Sequence, residues 1–197
     1  MKFLQHGMIA GLSVLFAFPA VATPPALAPY TDNPLVEFLS QQRYHTFIAL
    51  QADTASNDHD ALTLIGGFGY FPLEKLSVGI YGSVRNSDRR YPSRMKQMYG
   101  FGLFTEYNFA PAAAVQPFGG LRLGIIDTTG PSNPTSMHAA ALGGVKIAFN
   151  RNVALSLSGV FNWTEEDLLH YRQNEEDGSF KSSNTDFGIE LGLRLGF

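Results

Sequence analysis

Counting back from the C-terminus, every second residue is apolar: Phe197, Leu195, Leu193, Leu191, Ile189 and Phe187. Between them stand Gly196, Arg194, Gly192, Glu190, Gly188 and Asp186. A strand sends successive side chains to opposite faces, so this segment has one greasy face and one face of charges and glycines. A helix would spread both sets around its circumference. The alternation recurs upstream. Tyr99, Phe101, Leu103, Tyr107 and Phe109 interleave with Gly100, Gly102, Phe104, Glu106 and Asn108. Leu121, Leu123 and Ile125 interleave with Gly120, Arg122 and Gly124, and Val145, Ile147 and Phe149 with Gly144, Lys146 and Ala148. Val153, Leu155, Leu157, Phe161 and Trp163 face away from Ser156, Ser158 and Asn162, as Leu76, Val78 and Ile80 do from Ser77, Gly79 and Tyr81. Two weaker segments, Tyr44 to Asp53 and Leu62 to Phe71, complete a set of about eight strands of ~9–11 residues, the length a tilted strand needs to cross a bilayer.

The connections alternate as well. Short links fall around Pro72-Leu73-Glu74, Pro111 to Ala114 and Asn150-Arg151-Asn152. Longer polar stretches run from Thr54 to Asp60, Asn86 to Gln97, Thr128 to Ser136 and Thr164 to Thr185. Short turns at one end and long loops at the other are the plan of bacterial membrane barrels. Aromatic residues sort into two levels: Tyr44, Tyr70, Tyr107, Phe109, Phe149 and Phe197 at the short-turn end, and Tyr99, Phe101, Phe161, Trp163 and Phe187 toward the loops. Two such belts are expected at the two membrane–water interfaces. The expected fold is therefore all-β: a closed antiparallel up-and-down transmembrane β-barrel over residues 42–197.

The N-terminus reads differently. Met1-Lys2, the apolar run from Met8 to Phe18, and Ala20-Val21-Ala22 have the layout of a signal peptide over residues 1–22, with a mature start at Thr23. A second small-residue site, Ala26-Leu27-Ala28, is followed by Pro29, which should block cleavage. The apolar run is shorter than the ~20 residues a spanning helix needs. Residues 23–41 form a periplasmic lead-in. Its Asn33-Pro34 could cap and open one short helix through Leu39, either as an ordered approach to the first strand or as an amphipathic helix on the inner leaflet.

Composition changes this picture little. The formal charge is −3 over 197 residues, which points to neither nucleic acid nor another polyanion as partner. Cysteine is absent, so there is no disulfide, thiolate metal site, cysteine nucleophile or lipidated N-terminal cysteine. A mean hydropathy near zero fits a soluble protein and a barrel equally well.

With these residues assembled, the chain resembles the small outer-membrane barrels typified by the OmpA transmembrane domain, OmpX and the opacity-type proteins, over about residues 42–197. The most specific part is Phe187-Gly188-Ile189-Glu190-Leu191-Gly192-Leu193-Arg194-Leu195-Gly196-Phe197, which looks like the signal read by the outer-membrane assembly machinery. Val115 to Leu121 and Gly143 to Leu155 look like strands 5 to 7 of that family. The resemblance implies insertion by that machinery, with the C-terminus and short turns periplasmic and the long loops extracellular. It implies no single function, because such barrels host adhesins, structural tethers, invasion factors and members of no assigned role. The peptidoglycan-binding domain of full-length OmpA has no counterpart after the last strand, which argues against a cell-wall tether.

Candidate chemistry falls into three groups. By parity Glu106, Arg122, Lys146, Glu190 and Arg194 point inward, with Arg85, Asp127 and Asp186 nearer the loops. An eight-stranded lumen is filled by side chains, and charges buried there must pair. The expectation is a structural ion network, with a narrow pore as the alternative. A lipid A-modifying enzyme would need a histidine base, a serine nucleophile and an acid near the outer leaflet. The weak candidates are His138 with Ser136, and Ser83 or Asp127 beside them. No His-x-Ser pattern of lipid A deacylases is present. His45 lies at the wrong end, His59 and His170 fall in loops, and no metal spacing or cofactor motif is visible. Finally, the loop after strand 3 is basic (Arg85, Arg89, Arg90, Arg94 and Lys96 against Asp88), while the last loop is acidic (Glu165, Glu166, Asp167, Glu175, Glu176 and Asp177 against Arg172 and Lys181). Either these are solvated charges pairing partially across the mouth, or Arg89, Arg90, Arg94 and Lys96 contact lipopolysaccharide phosphates, which guanidinium matches bidentately. The expected function is a non-enzymatic surface-exposed barrel with interacting loops; lipid A modification and a small-solute pore are the alternatives.

Overall fold

The computed structural model describes residues 43–53, 61–87, 97–109, 115–128, 135–150, 152–173 and 180–197. The signal peptide expected over 1–22, the lead-in over 23–41 and the loop cations Arg89, Arg90, Arg94 and Lys96 lie outside the described residues.

The described residues form ten strands: β1 (Tyr44–Asp53), β2 (Ala61–Leu73), β3 (Leu76–Ser87), β4 (Gln97–Asn108), β5 (Val115–Thr128), β6 (Thr135–Asn150), β7 (Val153–Thr164), β8 (His170–Gln173), β9 (Phe180–Ser183) and β10 (Thr185–Gly196). Strands β1 to β7 and β10 close into one antiparallel barrel in up-and-down order. The pair β8–β9 forms a separate hairpin within the last loop, an element that the polar composition of 164–185 did not suggest. The barrel strands are 10 to 16 residues long, longer than expected, because their ladders continue past the apolar band. Strand β6, for example, begins at Thr135 and ends at Asn150.

Closure comes from β10 pairing with β1, from His45 opposite Gly196 to Asp53 opposite Gly188. Tyr44 and Phe197 exchange backbone hydrogen bonds of 3.1 and 3.0 Å at the end of this seam. Their rings stack at 6.5 Å, and Tyr44 also packs on Phe68 and Tyr70. The C-terminal aromatic thus belongs to the ring of aromatics at the short-turn end.

The molecule is inside-out relative to a water-soluble barrel. Leu123 and Leu191 are 62% and 51% exposed, while the adjacent Arg122 and Glu190 are 3% and 0% exposed. An apolar surface this continuous needs an apolar solvent, and a closed barrel is one of the two structures that satisfy every backbone group within lipid. Inward glycines leave room for large lumen side chains. A Cβ at Gly69 would stand 2.8 Å from the Phe104 ring, and one at Gly79 only 2.6 Å from it.

Candidate functional site

The lumen contains the chemistry of this protein, in two tiers. The lower tier, toward the short turns, collects side chains from β4, β5, β6 and β10. Glu106 accepts from Lys146 and, at 2.8 Å, from Arg194. Lys146 also donates to Asn108 at 2.7 Å. Higher up, Arg122 grips Glu190 in a bidentate pair of 2.6 and 2.9 Å, the geometry that suits a planar guanidinium. Aromatic rings fill the remaining space. Arg194 lies 5.2 Å from both Phe47 and Phe118, Lys146 lies 4.7 Å from Phe118, and Arg122 is within 6 Å of Phe47 and Tyr81. Cations over ring faces gain attraction that strengthens when water is excluded. His45, Phe71 and Phe104 pack below as an aromatic floor, with centroids 4.9 and 5.8 Å from His45.

The upper tier, toward the loops, centres on Arg85 of β3. Its guanidinium reaches Asp53 at 2.8 Å and Asp186 at 2.7 Å, and donates to the backbone carbonyl of Leu169 at 2.7 Å. Asp186 also accepts from Asn162 at 2.7 Å. Asn162 in turn contacts His138 Nε2 at 3.3 Å, and His138 Nδ1 meets the Tyr81 hydroxyl at 3.0 Å. Beneath lies a cavity of about 30 Å³, bordered by Thr63, Tyr81, Ser83, Arg85, His138 and Leu169. That is space for about one water molecule. The hydroxyl of Thr63 is buried there with no hydrogen-bond partner among the described residues.

All five lower charges named from parity project into the lumen, each with a partner of opposite charge. One assignment is corrected. Asp127 does not face inward: it shares the outward parity of Leu121, Leu123 and Ile125 and lies opposite Tyr99 and Thr135 on the outer surface. Asp53, Asn108, Phe47 and Phe118 were missed. Strand β1 alternates weakly, so the facing of Asp53 at its end was not assigned, and inward aromatics cannot be told from core by spacing.

The weak catalytic set is not assembled into a relay. Ser136 accepts the backbone N–H of Glu166 at 2.9 Å and donates to the Met137 carbonyl, so its hydroxyl fastens the last loop. The partners of His138 are Tyr81 and Asn162. Ser83 borders the cavity, and Asp127 lies on the other side of the barrel wall. Among the described residues no group of three or more His, Asp or Glu could hold a metal ion.

No protein-family model and no curated protein matches the chain. Solved structures do. The crystal structure of surface protein A of Neisseria is 21% identical, with 78% of this chain and 96% of that one covered, at a TM-score of 0.55. The N-terminal β-barrel domain of OprF from Pseudomonas aeruginosa is 15% identical, with 80% of this chain and all of that one covered, at a TM-score of 0.51. At these identities the likeness carries the fold. The chain has the architecture of the small eight-stranded outer-membrane β-barrels.

Proposed function

We propose that the protein is an integral outer-membrane barrel whose work is done by its long loops on the cell surface, with no catalytic chemistry of its own. The observation that carries this reading is the filled lumen. Ion pairs, cation–ring contacts and an aromatic floor occupy the interior, and the polar cavity beside Arg85 is about 30 Å³. A solute pore needs a continuous water path, and an enzyme of outer-leaflet lipid needs a base and nucleophile that reach that lipid. The commitments of His138 and Ser136 described above favour neither. Its partners in this reading are outer-membrane lipids, lipopolysaccharide, whose phosphates Arg89, Arg90, Arg94 and Lys96 would pair with, and, during insertion, the assembly machinery that reads Phe197.

Three measurements test it. Mass spectrometry of lipid A from a deletion strain and a complemented strain should give the same species; a lost or gained acyl chain would make the protein an enzyme. Planar-bilayer recordings should show no steps above leak. Replacing Arg89, Arg90 and Arg94 with Ser should lower co-purifying lipopolysaccharide and flatten its dependence on salt. Unchanged lipid in the triple variant would leave the loop charges merely solvated.

A further inference from the structure

The segment that follows β7 does not leave the barrel mouth. It turns inward. Thr164 Oγ1 donates to the Glu166 carbonyl at 2.6 Å, Glu165 N–H donates to the Met137 carbonyl at 3.0 Å, and Ser136 accepts from Glu166 N–H. Glu165, Glu166 and Asp167 remain exposed, but Leu168 and Leu169 are 3% and 1% exposed. Leu168 packs on Met98 and Ile126, and Leu169 forms part of the wall of the polar cavity. Two adjacent leucines in a loop otherwise rich in acids have no reason to be there unless they are buried.

Arg85 holds this segment from across the barrel. It donates to the Leu169 carbonyl, and the next residue, His170, begins β8. On the return path, β9 ends at Ser183, Asn184 accepts the Thr164 N–H at 2.8 Å, and Asp186 pairs with Arg85. Both feet of the β8–β9 hairpin are therefore tied to one guanidinium, which Asp53 at the end of β1 steadies from a third side.

We infer that residues 164–169 form a detachable cap on the lumen, latched by Arg85, and that this latch couples the position of the β8–β9 hairpin to the opening of the polar cavity bordered by Thr63 and His138. The physical case rests on unequal anchoring. The barrel wall is held by long continuous ladders, whereas the cap is held by a handful of hydrogen bonds and two leucines. Local opening draws on segments with few such ties. Because Leu169 and β8 are joined by one peptide bond, a force or ligand that displaces the hairpin pulls on the carbonyl that Arg85 holds. This holds whether or not the loops have a partner, so it stands apart from the function proposed above.

The absence of native cysteine allows a direct test. Thr63→Cys places one thiol in the cavity wall. In the folded protein in detergent micelles, a neutral water-soluble maleimide should label it slowly. Adding Arg85→Ala should accelerate labelling by about tenfold or more, the size expected on removing charge-assisted hydrogen bonds. Losing a neighbouring cation would by itself raise the thiol pKa and slow the reaction, so faster labelling reports access. Leu168→Ser with Leu169→Ser, which leaves Arg85 in place, should also accelerate it. Heat-modifiable migration on gels identifies folded barrels. If Arg85→Ala does not fold, Arg85→Lys replaces it, since lysine keeps the charge but not the fork that serves three acceptors. Three results would overturn the inference: fast labelling of Thr63→Cys alone, no acceleration in the folded Arg85 variant, or acceleration by the leucine changes without any by the Arg85 change.

Discussion

The lower and upper tiers of the lumen obey the same rule and differ in what enforces it. Below, Glu106, Arg122, Lys146, Glu190 and Arg194 all sit on barrel strands. Their partners cannot separate unless the ladder itself opens, and aromatic rings exclude water around them. Above, one arginine serves two acids, and one of its acceptors is a backbone carbonyl outside the barrel. A cavity lies beside it. Buried charge must be paired in both places. In the lower tier the pairing is a property of the wall, so it contributes to global stability. In the upper tier it includes a segment that can leave, so it governs a local equilibrium.

The largest effect should come from the lower tier. Glu106→Gln removes the acid shared by Lys146 and Arg194, and unpairing a buried charge costs roughly 3–5 kcal/mol. Urea unfolding in lipid vesicles measures it, and a loss below that of Arg85→Ala would break the distinction between the tiers. On the outer face, Leu193→Arg should cost about 2–4 kcal/mol near the membrane midplane and less toward the interface. Cysteine labels at 193 and 194 should report lipid and lumen respectively; the reverse would put the register wrong by one residue. Arg85→Ala should cost only ~1–3 kcal/mol globally, since Asp53 and Asp186 can regain water once the cap lifts. Its stronger signature should be faster exchange of the backbone amides of 164–169, with those of β4 to β7 unchanged. His138→Ala should be nearly silent, at about 1 kcal/mol or less, because Tyr81 and Asn162 can keep a water in its place. A large loss there would mean that His138 is part of the structural network rather than a wall of the chamber.

Removing Phe197 should act on assembly rather than on the tiers. It deletes two backbone hydrogen bonds and the ring contact with Tyr44 at the closing seam. Less folded protein in the outer membrane, measured by heat-modifiable migration and abundance, is the expected result.

Alternation by itself determined the strands, the barrel and the facing of the lower charges. The side-chain period of a strand is two, so one apolar face fixes the register of Leu193 against Arg194 and of Leu123 against Arg122 without any partner being known. It failed at Asp127, where the parity of the strand was not carried through to its end, and it gave no facing for Asp53, where alternation is weak. Which acid meets which base was decided only in three dimensions. Arg194 pairs with Glu106, which is 88 residues away in sequence, rather than with Glu190 four positions before it on the same strand. The turn of 164–169 into the mouth, and the latch made by Arg85 between β1, β10 and the last loop, left no periodic trace. They depend on where the closed barrel places the ends of distant strands, and a local pattern cannot carry that information.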